Sequence, residues 1–210
     1  MAKINGTSKA DVLYGTVNPD IINGYGGADE LRGGGGNDKI WGGANDDFIY
    51  GGAGSDSLHG DDGSDYLQGG SGNDFIIGGT GNDGISGNGG DDTIQGGFDG
   101  DLIYGGAGND RFVYNTKEAA PVGDFEQIAD FAQGDKLDLS GIDANDSRAG
   151  NQTFTFIGNQ PFSGAGQVHY YVDTTNHWTV VEGNVDADFM PEFQIILNSN
   201  YIITATDIVL

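Results

Sequence analysis

A single apolar position recurs every nine residues between Gly6 and Val113. Each apolar residue stands two places after an aspartate and seven places after a glycine, so the unit reads Gly-x-x-x-x-Asp-x-apolar-x. It runs twelve times in unbroken register, with the apolar side chains Leu13, Ile22, Leu31, Ile40, Ile49, Leu58, Leu67, Ile76, Ile85, Ile94, Ile103 and Phe112. In a short strand, position eight points away from positions seven and nine. Only position eight is uniformly apolar, which predicts twelve three-residue strands, each with one side chain facing inward.

The repeat length predicts a stacked solenoid. A flat coil needs two strands to close, so one turn is two units, or eighteen residues, and successive turns stack at about 4.8 Å. Most of the 40 glycines lie before residue 114. Position four is Gly, Asn or Asp in every unit except the first, which has Lys9. These residues tolerate positive φ, which predicts a sharp turn there.

The aspartate at position six falls at the same point of every loop, so the stacking places the carboxylates in two columns. The odd-numbered units contribute Asp11, Asp29, Asp47, Asp65, Asp83 and Asp101. The even-numbered units contribute Asp20, Asp38, Asp56, Asp74, Asp92 and Asp110. Carboxylates at this spacing repel one another. A turn-forming role for Asp would not require one position twelve times. We therefore expect the columns to bind cations.

The residues of the loops indicate Ca²⁺. They offer carboxylate and carbonyl oxygens, with no Cys in the chain and no His at a repeated position. Flexible all-oxygen ligation favours Ca²⁺ over Zn²⁺ or copper, and Mg²⁺ requires stricter geometry. Twelve inward side chains are too few to offset the cost of ordering so many Gly-rich residues. The metal-free repeats should therefore be largely disordered.

The best-formed units resemble the repeat-in-toxin (RTX) nonapeptide GGxGxDxUx; they are Gly51–His59, Gly69–Ile77 and Gly105–Val113. The resemblance implies an all-β fold, a right-handed parallel β-roll with Ca²⁺ held between the loops of units n and n+2. It implies that the ligands are the repeated Asp side chains and loop carbonyls, including those at Gly33, Gly51, Gly69, Gly78 and Gly105, for up to about ten ions. The first two units lack the second and fourth glycines, and the unit that begins at Gly96 is scrambled between Gly96 and Asp101. We expect the weakest sites at Asp11 and Asp20.

Residues 114–210 lack the repeat and predict a β-rich cap on the roll of residues 1–113. Alternation predicts strands at Thr153–Ile157, Gln167–Val172, Trp178–Val181, Phe193–Leu197 and Ile202–Thr206. The segments Gln127–Ser140, Ile142–Asn145, Ala149–Gln152 and Phe154–Gly158 resemble the carboxyl-terminal domain of serralysin-type secreted metalloproteases. Val181–Asp188 resembles that family's GDxxGD turn, but Asn184 and Ala187 depart from it, so we expect no dependable Ca²⁺ site there.

The net charge and the targeting signals limit the possible partners and the location of the protein. The net charge of −24 and the pI near 4.1 argue against nucleic acid or anionic membrane as a partner. No apolar run reaches membrane-spanning length, and no cleavable signal peptide is visible. The ending Asp207–Leu210 resembles the uncleaved type I secretion signal of this family. This implies a type I secretion apparatus as a partner and extracellular release from a Gram-negative bacterium.

No catalytic motif is present. The residues His59, His169 and His177 form no HExxH pair, and no Gly-x-Ser-x-Gly occurs. We expect no enzyme activity. Three roles stay open: a small secreted calcium-binding protein; the carboxyl-terminal module of a larger protease, lipase or polysaccharide-modifying enzyme; or a carbohydrate- or cell-surface-binding module.

Outward aromatic residues bear on the third role. Phe48, Tyr50 and Tyr66 fall on one predicted sheet, and Trp41, Phe75 and Ile77 fall on the other. Such patches bind sugars or partners. We expect the carboxyl-terminal segment to cover them, with a surface glycan as the alternative.

Overall fold

A computed structural model describes residues 1–116, 121–123, 126–145, 147, 150–186 and 188–210. These residues form twenty strands in two sheets. The repeats form β1 (Lys3–Asn5), β2 (Val12–Tyr14), β3 (Ile21–Gly26), β4 (Glu30–Gly35), β5 (Lys39–Ala44), β6 (Phe48–Ala53), β7 (Ser57–Asp62), β8 (Tyr66–Ser71), β9 (Phe75–Thr80), β10 (Gly84–Gly89), β11 (Thr93–Phe98), β12 (Leu102–Ala107) and β13 (Arg111–Val113). The remainder forms β14 (Glu126–Ile128), β15 (Lys136–Asp138), β16 (Thr155–Phe156), β17 (Gln167–Asp173), β18 (Trp178–Asn184), β19 (Phe193–Leu197) and β20 (Ile208–Val209).

Successive repeat strands alternate between the two sheets. Odd-numbered strands from β1 to β13 stack in one sheet, and even-numbered strands from β2 to β12 stack in the other. All these pairs are parallel, and partners lie eighteen residues apart, as Ile40 with Leu58 and Ile49 with Leu67. The predicted all-β parallel β-roll with a two-unit turn is confirmed.

The core between the sheets is the row of position-eight side chains. Ten of the twelve, from Ile22 to Ile103, are at most 1% exposed, and Phe112 is fully buried. Leu13 is only half-buried, because β2 is the edge strand of its sheet.

The strands are longer than the predicted three residues. Strands β3 to β12 each span six residues, because positions one to three of the next unit stay paired. In β9, for example, Gly79 and Thr80 still pair with Gly97 and Phe98 of β11. The irregular part of each loop is therefore only positions four to six, because positions one to three belong to the strand.

The two sheets continue past Val113. Strand β14 pairs in parallel with β12, and β15 pairs with β13, so residues 126–138 add one further turn to the roll. Beyond them β20 extends the first sheet, and the antiparallel run β19-β18-β17 extends the second. The β-rich cap is thus built onto the ends of the roll's own sheets. The division into domains at residues 113 and 114 stays a prediction.

The strand predicted over Ile202–Thr206 is wrong. The Asp207 carboxylate accepts hydrogen bonds from the amide and hydroxyl of Thr204, both at 2.8 Å, which closes a turn there. The last strand is instead Ile208–Val209, and the strand predicted over Thr153–Ile157 is shorter, Thr155–Phe156. The sequence features at Ala149 and Ala187 lie outside the described residues. No helix among the described residues is long and apolar enough to span a bilayer.

Candidate metal centre

The two oxygens of each column aspartate have different surroundings. The Oδ1 atom accepts a hydrogen bond from the backbone N–H of the aspartate eighteen residues earlier; Asp65 Oδ1 lies 2.7 Å from Asp47 N, and Asp74 Oδ1 lies 2.8 Å from Asp56 N. The same bond, at 2.7–2.9 Å, is made by Asp29, Asp38, Asp47, Asp56, Asp65, Asp74, Asp83, Asp92, Asp101 and Asp110. The carboxylates therefore form the two columns that the spacing predicts.

The Oδ2 atoms of these same ten aspartates are buried and have no hydrogen-bond partner among the described residues. The aspartates themselves are only 1–3% exposed. Burying an unpaired carboxylate oxygen is costly unless a donor or a cation satisfies it. Ten such atoms in two regular rows are the strongest indication of where cations bind.

Position one must be glycine because this oxygen lies beside it. A Cβ placed on Gly69 would overlap with Asp74 Oδ2 and lie 2.9 Å from the carbonyl oxygen of Gly87. At Gly51 the corresponding distances are 2.5 Å to Asp56 Oδ2 and 2.6 Å to the carbonyl oxygen of Gly69. Thus a carboxylate oxygen and a carbonyl oxygen of the next turn face the same small space. A Cβ would also overlap with the Oδ2 atom at the predicted positions Gly33, Gly78 and Gly105.

Positions two and four carry the bends of the loop. From the third unit to the twelfth, both positions have positive φ, for example Gly70 and Gly72 at 117° each. The prediction for position four is right in these ten units and wrong for Asn18, whose φ is not positive. Position two was not predicted to bend. Three non-glycine residues adopt this conformation there: Tyr25, Asp61 and Asn88.

The first two units differ from the other ten. Position two is threonine, and Asp20 Oδ2 accepts hydrogen bonds from the Thr16 amide at 2.7 Å and the Thr16 hydroxyl at 2.8 Å. Asp11 Oδ2 is bound in the same way by Thr7, at 2.6 and 2.9 Å. These two carboxylates are satisfied by the protein itself. That Asp11 and Asp20 are the weakest cation sites stays a prediction.

Two further acidic residues continue the columns at the other end. The carboxylate of Glu126 accepts the Asp101 amide at 3.2 Å and the Tyr114 hydroxyl at 3.0 Å. Asp135 accepts the Asp110 amide at 2.9 Å through Oδ1 and the Ala132 amide at 2.8 Å through Oδ2. The sequence analysis missed both as members of the columns. Their signal is an acidic residue two places before the buried Ile128 and Leu137, as in the repeats.

Burial raises the pKa of most column carboxyls. The pKa is raised to about 8 at Asp83, to about 7 at Asp47, Asp92 and Asp101, and to about 6 at Asp38, Asp65, Asp74 and Asp110. Desolvation is the largest cause, and for Asp83 the charges of Asp101 and Asp65 add to it. Asp20 is the opposite case, because hydrogen bonds from Ala2 and Thr16 lower its pKa. Without cations, the ten buried carboxylates resist ionisation.

The residues present fit a hard divalent cation. The donors facing each space are carboxylate and carbonyl oxygens, and no His or Cys belongs to either column. All-oxygen sites on glycine-rich backbone suit Ca²⁺, which accepts flexible coordination. Bound Ca²⁺ would supply the positive charge that the unpaired Oδ2 atoms face.

Two family models match the chain. The RTX calcium-binding nonapeptide repeat, in four-copy form, matches residues 5–40 and 23–58. The model described as Peptidase M10 serralysin C terminal matches residues 64–210, well over half of the chain. The chain belongs to the serralysin C-terminal family. This serralysin C-terminal chain carries RTX repeats of the calcium-binding type, as predicted, and both families are typical of secreted proteins of Gram-negative bacteria.

Among solved structures, the chain is similar to two repeat subunits of the mannuronan C5-epimerase of Azotobacter vinelandii. The AlgE6R2 subunit has 20% sequence identity and a TM-score of 0.41, covering 97% of this chain and 93% of that one. The AlgE6R3 subunit has 21% identity and a TM-score of 0.34, covering 97% and 80%. No curated protein sequence gives a significant match.

The predicted outward residues lie on the outer faces of the sheets, where Trp41, Tyr50 and Ile77 are half-buried. Phe48, Tyr66 and Phe75 are 53%, 41% and 43% exposed, so the expectation that the carboxyl-terminal segment covers them is wrong. The described strands of that segment extend the sheets lengthwise. On the first sheet, Trp41 stacks on His59 with ring centroids 5.4 Å apart.

Proposed function

We propose that this chain is a secreted, non-catalytic calcium-binding β-roll that folds on Ca²⁺ after type I secretion. The single observation that carries the proposal is the set of ten buried Oδ2 atoms that have no hydrogen-bond partner among the residues that the structure describes. Each belongs to a position-six aspartate of an RTX repeat. The family match supports calcium as the ion.

The proposed ligands are Asp29, Asp38, Asp47, Asp56, Asp65, Asp74, Asp83, Asp92, Asp101 and Asp110, with loop carbonyls beside Gly33, Gly51, Gly69, Gly78 and Gly105. Asp11 and Asp20 are proposed as the weakest positions, since Thr7 and Thr16 satisfy them. This arrangement supports up to about ten ions.

Folding and binding are coupled in this proposal. A rigid column of buried, unpaired carboxylates is unfavourable without cations, and the raised pKa values report that cost. The unfolded chain has no such columns. Ca²⁺ therefore stabilises the folded roll selectively, so that its binding free energy becomes folding free energy.

The same coupling suits export. The proposed secretion signal, Asp207–Leu210, is part of the folded structure, with Ile208 paired to Leu137 and the Asp207 side chain only 6% exposed. An apparatus that reads this ending would read it in the unfolded chain. Low cytosolic Ca²⁺ would keep the repeats unfolded, and Ca²⁺ outside the cell would fold them.

Far-ultraviolet circular dichroism during a Ca²⁺ titration, with Mg²⁺ as the control, tests the proposal. We expect a cooperative coil-to-β transition with Ca²⁺ and none at the same Mg²⁺ concentration. Equilibrium dialysis at saturation then counts the ions. A β-rich spectrum in chelator that Ca²⁺ leaves unchanged would contradict coupled folding.

A second candidate function is supported by the family description, which names the carboxyl-terminal part of a peptidase. In this version the chain is the calcium-binding and secretion module of a larger secreted protease, lipase or polysaccharide-modifying enzyme. The intact mass of the protein released by its native host separates the two. A mass near 21.8 kDa supports a small independent protein, and a much larger one supports the module.

A further inference from the structure

A groove runs along β10 on the outer face of the sheet of even-numbered strands, between β8 and β12. The first two outward residues of β10 are Gly84 and Ser86, both small. The register sets Gly84 between Tyr66 of β8 and Leu102 of β12. Because neighbouring strands lie about 4.8 Å apart, the walls stand about 10 Å apart across the missing side chain. The groove has a volume of about 350 Å³.

The walls are apolar rings and one aliphatic side chain. Tyr66, Leu102 and Tyr104 line the groove and remain 41%, 41% and 44% exposed. Tyr66 packs against two other rings on the side away from the groove: its ring centroid lies 6.2 Å from that of Phe48 and 6.1 Å from that of Tyr50. The Gly84 backbone lies close under the ring: a Cβ there would lie 3.5 Å from Tyr66 Cδ2.

The polar side chains that line the groove are uncharged. Gln68 Nε2 donates to Asn88 Oδ1 at 3.3 Å, which places two amide side chains together in the groove. Asn88 occupies a position-two bend with φ of 71°, where seven of the ten RTX-type loops have glycine. No ionisable Asp, Glu, Lys, Arg or His side chain is among the described residues that line the groove.

We propose that this groove binds a neutral carbohydrate chain, with a sugar ring held between Tyr66 and Tyr104 over Gly84. Exposed tyrosine faces pack against the C–H face of a sugar ring, and paired amides and hydroxyls bond its hydroxyl groups. The described residues that line the groove include no Lys or Arg to pair with the charges of an anionic polymer, which favours a neutral one. The sequence analysis placed a possible glycan site on Phe48, Tyr50 and Tyr66, whereas this proposal places it in the neighbouring groove. It goes beyond the proposed calcium function.

Isothermal titration calorimetry of the whole chain in saturating Ca²⁺ tests this site. The probes are cellohexaose, laminarihexaose, mannohexaose and chitohexaose, with polygalacturonate as the anionic comparison. We expect at least one neutral hexasaccharide to bind at concentrations up to about 1 mM.

Three variants and one control locate the binding. Tyr66→Ala and Tyr104→Ala should each weaken it about tenfold or more, since each removes one stacking ring. Gly84→Leu should block it by filling the floor, and the neighbouring strand already carries Leu102 at this register. Tyr14→Ala, at an exposed tyrosine near the other end of the same sheet, should leave it within twofold. The Ca²⁺ midpoint of each variant by circular dichroism shows whether the roll is intact.

No binding of any neutral hexasaccharide would overturn the proposal. So would binding that Gly84→Leu and both tyrosine variants leave unchanged while the roll is folded. Binding of polygalacturonate alone would also overturn it, because the charge argument would then be wrong. None of these outcomes bears on Ca²⁺-coupled folding, which the titration without sugar measures separately.

Discussion

The first two repeats and the ten that follow share Gly, Asp and the apolar residue at the same positions, yet their loops differ. In the first two, threonine at position two donates to the aspartate, as Thr16 does to Asp20. In the other ten, positions two and four bend through positive φ, and the aspartate Oδ2 atom is buried with no hydrogen-bond partner in the part of the chain that the structure describes. The comparison teaches that the conserved spacing builds the column, while position two decides whether the carboxylate is left open for a cation.

The largest expected effect comes from removing charge in the middle of the columns. Asp65→Asn with Asp74→Asn should raise the Ca²⁺ midpoint of folding at least tenfold, because two ligand oxygens are lost while the Oδ1 hydrogen bonds persist. The matched pair Asp11→Asn with Asp20→Asn should change it less than twofold. Circular dichroism during Ca²⁺ titration gives both midpoints. Equal midpoints for the two double variants would remove the distinction between the regions.

The next effect tests the loop geometry itself. Gly70→Thr places in a central loop the residue that Thr16 provides in the second unit. It should lower Ca²⁺ affinity and stability strongly, because φ is 117° at Gly70 and a Cβ would overlap with the Gly52 carbonyl oxygen.

The control for this variant is Gly89→Ala, where φ is not positive and the atom nearest to an added Cβ, the Gly70 carbonyl oxygen, lies 3.8 Å away. It should leave the melting temperature in Ca²⁺ almost unchanged. A central threonine tolerated as well as Gly89→Ala would show that position two does not separate the two kinds of loop.

Proton binding should act in opposite directions on the metal-free and the calcium-loaded protein. The pKa values of Asp83, Asp47 and Asp74 are raised to about 8, 7 and 6. Folding then favours their protonated forms, so lowering the pH from 8 towards 4 should stabilise the metal-free roll. In Ca²⁺ the same protons compete with the ion, and the midpoint should rise over this range.

Circular dichroism in chelator, which measures how much β structure forms without Ca²⁺, and Ca²⁺ titration check both signs when each is repeated at a series of pH values. Repeating the measurements in chelator at high salt separates the column effect from long-range charge repulsion. Asp20 should titrate outside this window, because its pKa lies below 3.8 and its contribution is lost only as the pH falls through that lower value. A β content in chelator that does not rise as the pH falls from 8 to 5 would contradict the burial of the ten carboxyls.

The smallest effect is expected in the first two repeats. Thr16→Val removes the hydroxyl donor to Asp20 and keeps the amide donor. Differential scanning calorimetry in Ca²⁺ should show a fall of no more than about 3 °C in melting temperature. A larger fall than that of the central double variant would mean that the roll depends on its amino-terminal edge.

The carboxyl-terminal part of the columns shows how far sequence reasoning extends. The strict repeat stops at Val113, yet Glu126 and Asp135 take the places of the next two aspartates after an insertion. Spacing alone missed them, because Asp101 and Glu126 are twenty-five residues apart in place of eighteen. The pairing of β14 with β12 brings them into register in the folded chain.

The nine-residue period by itself determined the all-β roll, its eighteen-residue turn, the buried row at position eight and the two columns of carboxylates. These follow because local alternation and a fixed period leave one stacking register. Only the tertiary structure decided which oxygen of each carboxylate is satisfied, since Oδ1 meets an amide eighteen residues away while Oδ2 does not. It also decided that the aromatic faces stay exposed, because the cap extends the sheets along their stacking direction. Both depend on contacts between distant turns, which a nine-residue pattern does not encode.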